Sequence, residues 1–166
     1  MMQPDFFEIH ADADLVAVNP RVRRFWHYTQ SCKHDDGLPA RAHFDPVDIP
    51  DLLSNIWIIE SDGDSARLHY RLAGTAVVAG MGFEPTGRCM TEIAAERLKE
   101  DPRLLDRYRH GARAGIATWR RGPAQSRPKP DYAEIEDLIV PFAVAHSAVR
   151  HLIGMSVHYR IDGTEF

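Results

Sequence analysis

The sequence predicts an α+β domain built on one antiparallel sheet, and three observations carry that prediction. Two strand-like apolar runs between residues 56 and 72 flank a turn-rich stretch. About forty residues of helical, glycine-punctuated pattern follow them. Three more strand-like runs then close the chain, with no internal repeat and no low-complexity tract. A helical crossover between a first hairpin and later antiparallel strands leaves a sheet face for helices to cover. Any cavity belongs between those layers.

The length of 166 residues is that of one domain, and a composition 44% hydrophobic and 27% charged is that of an ordinary soluble chain. At this size a core forms without metal or disulfide staples, so Cys32 and Cys89 read as reduced thiols. The formal charge of -4 argues against a surface built wholly for nucleic acid. No run approaches the ~18 apolar residues of a membrane span. The acidic opening MMQPDFFEIHADAD is unlike a signal peptide, so a cytoplasmic protein away from the membrane is expected.

Residues 1–18 lack periodicity and read as an N-terminal arm or strap, with 19–166 as a single domain. Asn19-Pro20 supplies a capping residue and a proline suited to the first helical position, and predicts a flanking helix over 20–33. Its apolar stripe of Val22, Phe25, Trp26 and Thr29 carries too much aromatic surface for an exposed edge. That stripe packs either on the core or on a partner. Taken as a partner surface, it is a candidate homodimer interface.

The prolines between Arg41 and Asn55 permit only short helical turns. Ile56-Trp57-Ile58-Ile59 is an unbroken β-branched and aromatic run, as in a strand covered on both faces. Past the turn formers at 61–65, Leu68, Tyr70 and Leu72 alternate with Arg67, His69 and Arg71 and complete a hairpin. Short helices are expected between Gly74 and Leu98, and a longer one from Pro102 to Ala114, ended by Gly115. Strands are expected at 117–121, 135–142 and 152–159, with a proline-rich loop over 122–131 and a turn at 145–148.

Three strings in this frame resemble the PAS domains, and more closely the short single-domain PAS-like proteins of alphaproteobacteria. They are Asp45-Pro46-Val47-Asp48-Ile49-Pro50-Asp51-Leu52-Leu53, Tyr70-Arg71-Leu72-Ala73-Gly74-Thr75 and Thr86-Gly87-Arg88. The resemblance covers most of the chain. It implies a five-stranded antiparallel sheet in the order 2-1-5-4-3, with helices on one face beside the N-terminal flanking helix. It also implies that a small-molecule pocket, where present, lies between sheet and short helices. Its candidate walls here are Leu68, Tyr70, Leu72, Val78, Met81, Phe83, Trp119 and Ile139, residues that a filled core explains equally.

No cofactor is expected. Haem is disfavoured because His110 lies off the stripe of Leu104, Tyr108 and Ala112, one turn after Asp106, where an exposed pair accounts for it. Flavin is disfavoured because Gly87-Arg88-Cys89 lacks the Asn of the light-sensing relatives and holds its thiol one place early, about 100° around a helix. A buried structural role fits that cysteine better. Cys32-Lys33-His34 with His43 falls short of a zinc signature, and His146, His151 and His158 are dispersed. Neither a phosphate loop nor a nucleophile elbow is present, and no catalytic set emerges. Glu134, Glu136 and Asp137 read as a solvated strand edge or as paired acid and base. Residues 97–130 hold ten Lys or Arg against three acids, while the rest holds ten against twenty-one. That segment suits docking of an acidic surface or a nucleotide, self-association by charge complementarity, or simply a solvated helix face plus a basic loop, and nucleic acid is disfavoured for want of interleaved exposed aromatics.

The function expected is a stand-alone, non-catalytic PAS-type sensory or regulatory module that binds a small apolar molecule or a protein partner and forms homodimers through helix 20–33. The alternative is a small cone-type enzyme, isomerase- or dehydratase-like, with a carboxylate or His inside its cavity. A scaffold with no cavity is the third. A buried carboxylate or His with a shifted pKa beside another polar group would favour the enzyme.

Overall fold

The computed structural model describes residues 6–15, 18–35, 37–61, 67–97, 103–124, 131–145 and 150–166. The chain enters through a short strand, β1 (Phe7–Ile9), and a 3-10 turn at Asp12–Leu15. Helix α1 (Pro20–Ser31) begins as its sequence dictates, with the Asn19 side chain accepting from the Arg21 backbone N–H at 2.8 Å and Pro20 in the first turn. Three 3-10 turns between residues 41 and 55 lead into β2 (Ile56–Ser61), which pairs with β3 (Leu68–Ala73). Three helices follow: α2 (Thr75–Met81), α3 (Met90–Arg97) and α4 (Arg103–Ala114). The chain closes with β4 (Ala117–Pro123), β5 (Tyr132–Ala143) and β6 (Arg150–Arg160). The expected loop and turn fall largely on 125–130 and 146–149, and Leu98 on 98–102, all outside the described residues.

The sheet runs β1-β4-β5-β6-β2-β3 with every pair antiparallel. The five expected strands stand in the expected succession, but the sheet has six. Phe7, Glu8 and Ile9 of the supposed arm add an edge strand opposite Trp119, Thr118 and Ala117. Three residues are too few for a period-2 pattern to stand out in a sequence. At the other edge, the Gly87 N–H donates to the Tyr70 carbonyl at 2.7 Å and the Tyr70 N–H to the Arg88 carbonyl at 3.0 Å. Residues 87 and 88 thus cover β3, and a three-residue strand covers β4, so neither long edge strand is left bare.

Helices cover both faces. Val22, Phe25, Trp26 and Thr29 of α1 lie on one face, none more than 4% exposed, among Ile56, Ile58, Leu138, Val140, Ile153 and Met155. The homodimer interface expected on that stripe is corrected here: burial against the chain's own sheet leaves those side chains no surface to offer a second copy. Outward, α1 presents Arg24, His27 and Ser31. The opposite face carries Trp57, Ile59, Leu68, Tyr70, Ile139 and Leu152 against Val77, Met90, Ile93, Tyr108 and Ala112 of α2–α4.

The pairing of β2 with β3 slips by one residue. Ile58 stands opposite Leu72 and Ile59 opposite Tyr70, so Arg71 is an extra residue on β3. A bulge turns everything beyond it to the other face. Leu72 therefore leaves the face of Tyr70, is 44% exposed, and is not a wall of the helix-covered layer.

Candidate functional site

The layer between the sheet and α2–α4 is where the sequence placed a pocket, and it contains charge. On β5 the alternation of side chains sends Glu136 and Asp137 to opposite faces, and both are buried. Asp137 meets Arg107 of α4: the guanidinium Nη1 pairs with Asp137 Oδ1, Nε donates to Thr118 Oγ1 at 3.0 Å, and Nη2 donates to the Thr118 carbonyl at 2.9 Å. Arg107 is 2% and Asp137 3% exposed, so this is an ion pair inside the protein rather than at its rim. A solvated strand edge is therefore not what the cluster at 134–137 forms.

Around that pair aromatic side chains pack closely. The Trp57 indole lies over Gly154, where a Cβ would overlap the ring, and its Nε1 donates to Ser156 Oγ at 2.9 Å. Trp57 packs on Tyr108 and Tyr70 at ring separations of 5.5 and 6.3 Å. Burial, with the Asp137 charge second, pushes the Tyr108 phenol up to about 12, and burial likewise raises Tyr70 well above its ordinary value. Both phenols stay protonated. His158 lies further along β6, stacked on Tyr132 at 5.7 Å and tight beneath Gly80 of α2, where a Cβ would overlap the imidazole.

Burial holds the His158 pKa below the ordinary histidine value, against a smaller upward pull from Asp137. The unfolded chain then binds a proton more readily than the folded one, so folding stability is full above about pH 6.5 and declines as pH falls through that value. His151 is shifted downward for the same reason and adds to the loss. We expect the unfolding free energy to fall on acidification from about pH 7.5 to 5.5, and His158→Gln to flatten the curve. Equal curves for the two proteins in urea titrations would contradict this.

On the α1 face Glu136 is the hub of a second network. It accepts from the Asn19 backbone N–H at 2.9 Å, from Trp119 Nε1 at 3.1 Å and from the Tyr159 hydroxyl at 2.7 Å, and Asn19 Nδ2 donates to Tyr159. The start of α1 is thereby tied to β4, β5 and β6. Glu136→Ala leaves three donors unsatisfied and is expected to cost at least about 2 kcal/mol, with Glu136→Gln losing less. Two unchanged denaturation midpoints would rule the network out as an anchor.

Of the eight walls expected from the sequence, Leu68, Tyr70 and Ile139 lie in the cluster beneath α2–α4, and Met81 and Phe83 pack against it from partly buried positions. Val78 is half-buried on α2. Leu72 is turned away by the bulge. Trp119 is also corrected: it stands opposite Leu138 and packs on the α1 face, while Thr118 and Arg120 take the inward positions of β4. Inward Arg107 and Arg120 also break up the basic segment, whose Arg121 pairs with Glu134 and covers Tyr159. His110 pairs with Glu8 of β1 at 2.7 Å rather than with Asp106. Cys32 is buried, whereas Cys89 is partly exposed and not the buried residue expected. Sequence reasoning singled out Asp137 as part of an acidic cluster but missed its partner Arg107, and Ser156; the position of Arg107 beside Tyr108 on the packed side of α4 was the available signal. Among the described residues no group of three or more His, Cys, Asp or Glu is placed to hold a metal ion.

Comparison with known proteins gives two matches. A family model described as "PAS domain" matches residues 18–157, a span that leaves β1 outside it. A solved structure of an RNA-binding Light-Oxygen-Voltage receptor matches at 14% identity and a TM-score of 0.46. The match covers 91% of this chain and 37% of that one, so the chain spans little more than a third of that receptor. No curated protein matches.

Proposed function

The chain belongs to the PAS domain family, a family of sensory and regulatory modules, and from that premise we propose that it regulates by contact with a protein partner rather than by holding a cofactor between sheet and helices. The observation that carries this reading is the close packing in that layer of Trp57, Tyr70 and Tyr108 around the buried Arg107–Asp137 pair. A polar group that is fully paired and packed stiffens a core, whereas a receptor pocket keeps open volume with a few convergent polar atoms.

The enzyme alternative receives less support. A carboxylate and a His are buried here, but Asp137 is engaged by Arg107. The Tyr108 phenol is raised to about 12, away from the range useful to a base. Titration of the purified protein with haemin and with flavin adenine dinucleotide tests the reading. The expected result is no saturable change in either absorption spectrum. Stoichiometric binding that disturbs Trp57 would overturn it.

A further inference from the structure

A different cavity lies on the α1 face, between the end of α1, residues 37–39 and the turn from α4 into β4. Its volume of about 330 Å³ is at the small end of the range for ligand sites, roughly 300–1,000 Å³. Trp26, Leu38 and Val140 give it apolar walls. Lys33, His10 and Arg150 are the ionisable groups among its described lining residues; His10 is paired with Glu8 at 3.1 Å, and the Trp26 indole N–H donates to Asp12 Oδ1 at 2.7 Å. Arg150 is fixed there by donating Nη1 to the Ala112 and Arg113 carbonyls at 2.9 and 2.8 Å, which closes the end of α4.

An apolar wall beside the Lys33 ammonium and the Arg150 guanidinium suits a small molecule with one anionic end and an apolar body. We propose that this cavity binds a small organic carboxylate, its head toward Lys33 and its body against Trp26, Leu38 and Val140. A ligand there touches α1, the α4–β4 turn and the beginning of β6 together, and so bridges elements from both faces of the sheet. As the input of a regulatory module this proposal rests on the preceding reading, but the binding is measured independently of it.

The test uses the whole chain with decanoate as probe, observing the Trp26 and Trp57 indole N–H resonances. Decanoate is expected to shift Trp26 saturably and leave Trp57 in place. Decanol, with the same body and no charge, should bind at least about tenfold more weakly to the native chain, and Lys33→Glu should weaken decanoate to the same degree. Lys33→Arg should retain decanoate binding. Acetate, with the charge and no body, should produce no shift. An unmoved Trp26, equal binding of decanol, an unaffected Lys33→Glu or a response at Trp57 would each overturn the assignment.

Discussion

Replacing Asp137 by alanine is expected to lower the unfolding free energy by about 3–5 kcal/mol, because it leaves the buried Arg107 guanidinium without its counter-charge. Taking two charges out of water is costly, and their attraction offsets that cost only while both are present with their hydrogen bonds made. Arg107 meets that condition through Asp137 and both the hydroxyl and the carbonyl of Thr118. The paired replacement Arg107→Met with Asp137→Leu removes both desolvation costs and fills similar volume, so it should recover most of the loss. Urea denaturation of the two single variants and the pair gives the coupling directly. A pair as unstable as the sum of its singles would mean that the two charges do not depend on one another.

The second large effect belongs to Trp57. Its ring is buried, seated over Gly154 and bonded to Ser156. Trp57→Ala should cost about 3–5 kcal/mol, from lost transfer free energy and from the void left where neighbours collapse only partly. That void has the shape of an indole with a hydrogen-bond acceptor at its edge. Added indole should therefore bind the variant and raise its melting temperature in a concentration-dependent way, as any ligand of the folded state does. The native protein, with its own indole in place, should not respond. A variant indifferent to indole would show that the surrounding side chains move in to close the space.

Much of the frame was legible because backbone pattern and burial agree. The Ile56–Ile59 run became a strand covered on both faces, and Asn19-Pro20 became the start of α1. The succession of the five longer strands was legible through the resemblance of three short strings. What stayed hidden depends on register. A single extra residue at Arg71 reverses Leu72, and Trp119 sits one place from where an apolar-inward rule puts it because Thr118 and Arg120 face the helices instead. Strand alternation gives two faces but does not name them when both are covered. Neither could a linear reading find the Arg107–Asp137 pair, whose members lie thirty residues apart and are each unremarkable as surface charges. The residues that fill the layer are thus the ones composition describes worst. The stripe on α1 was correctly seen as needing cover, and its cover is the chain's own sheet.

Hydrogen exchange at the Trp57 indole N–H tests directly whether the layer beneath α2–α4 is a packed core around the Arg107–Asp137 pair. Held by Ser156 Oγ and packed beneath Tyr108, that proton should exchange only through global unfolding, with an opening free energy equal to the stability found in urea. Exchange through a much cheaper local opening, with the rest of the sheet still protected, would reveal a layer that admits solvent, as a receptor cavity does, and would contradict a packed core.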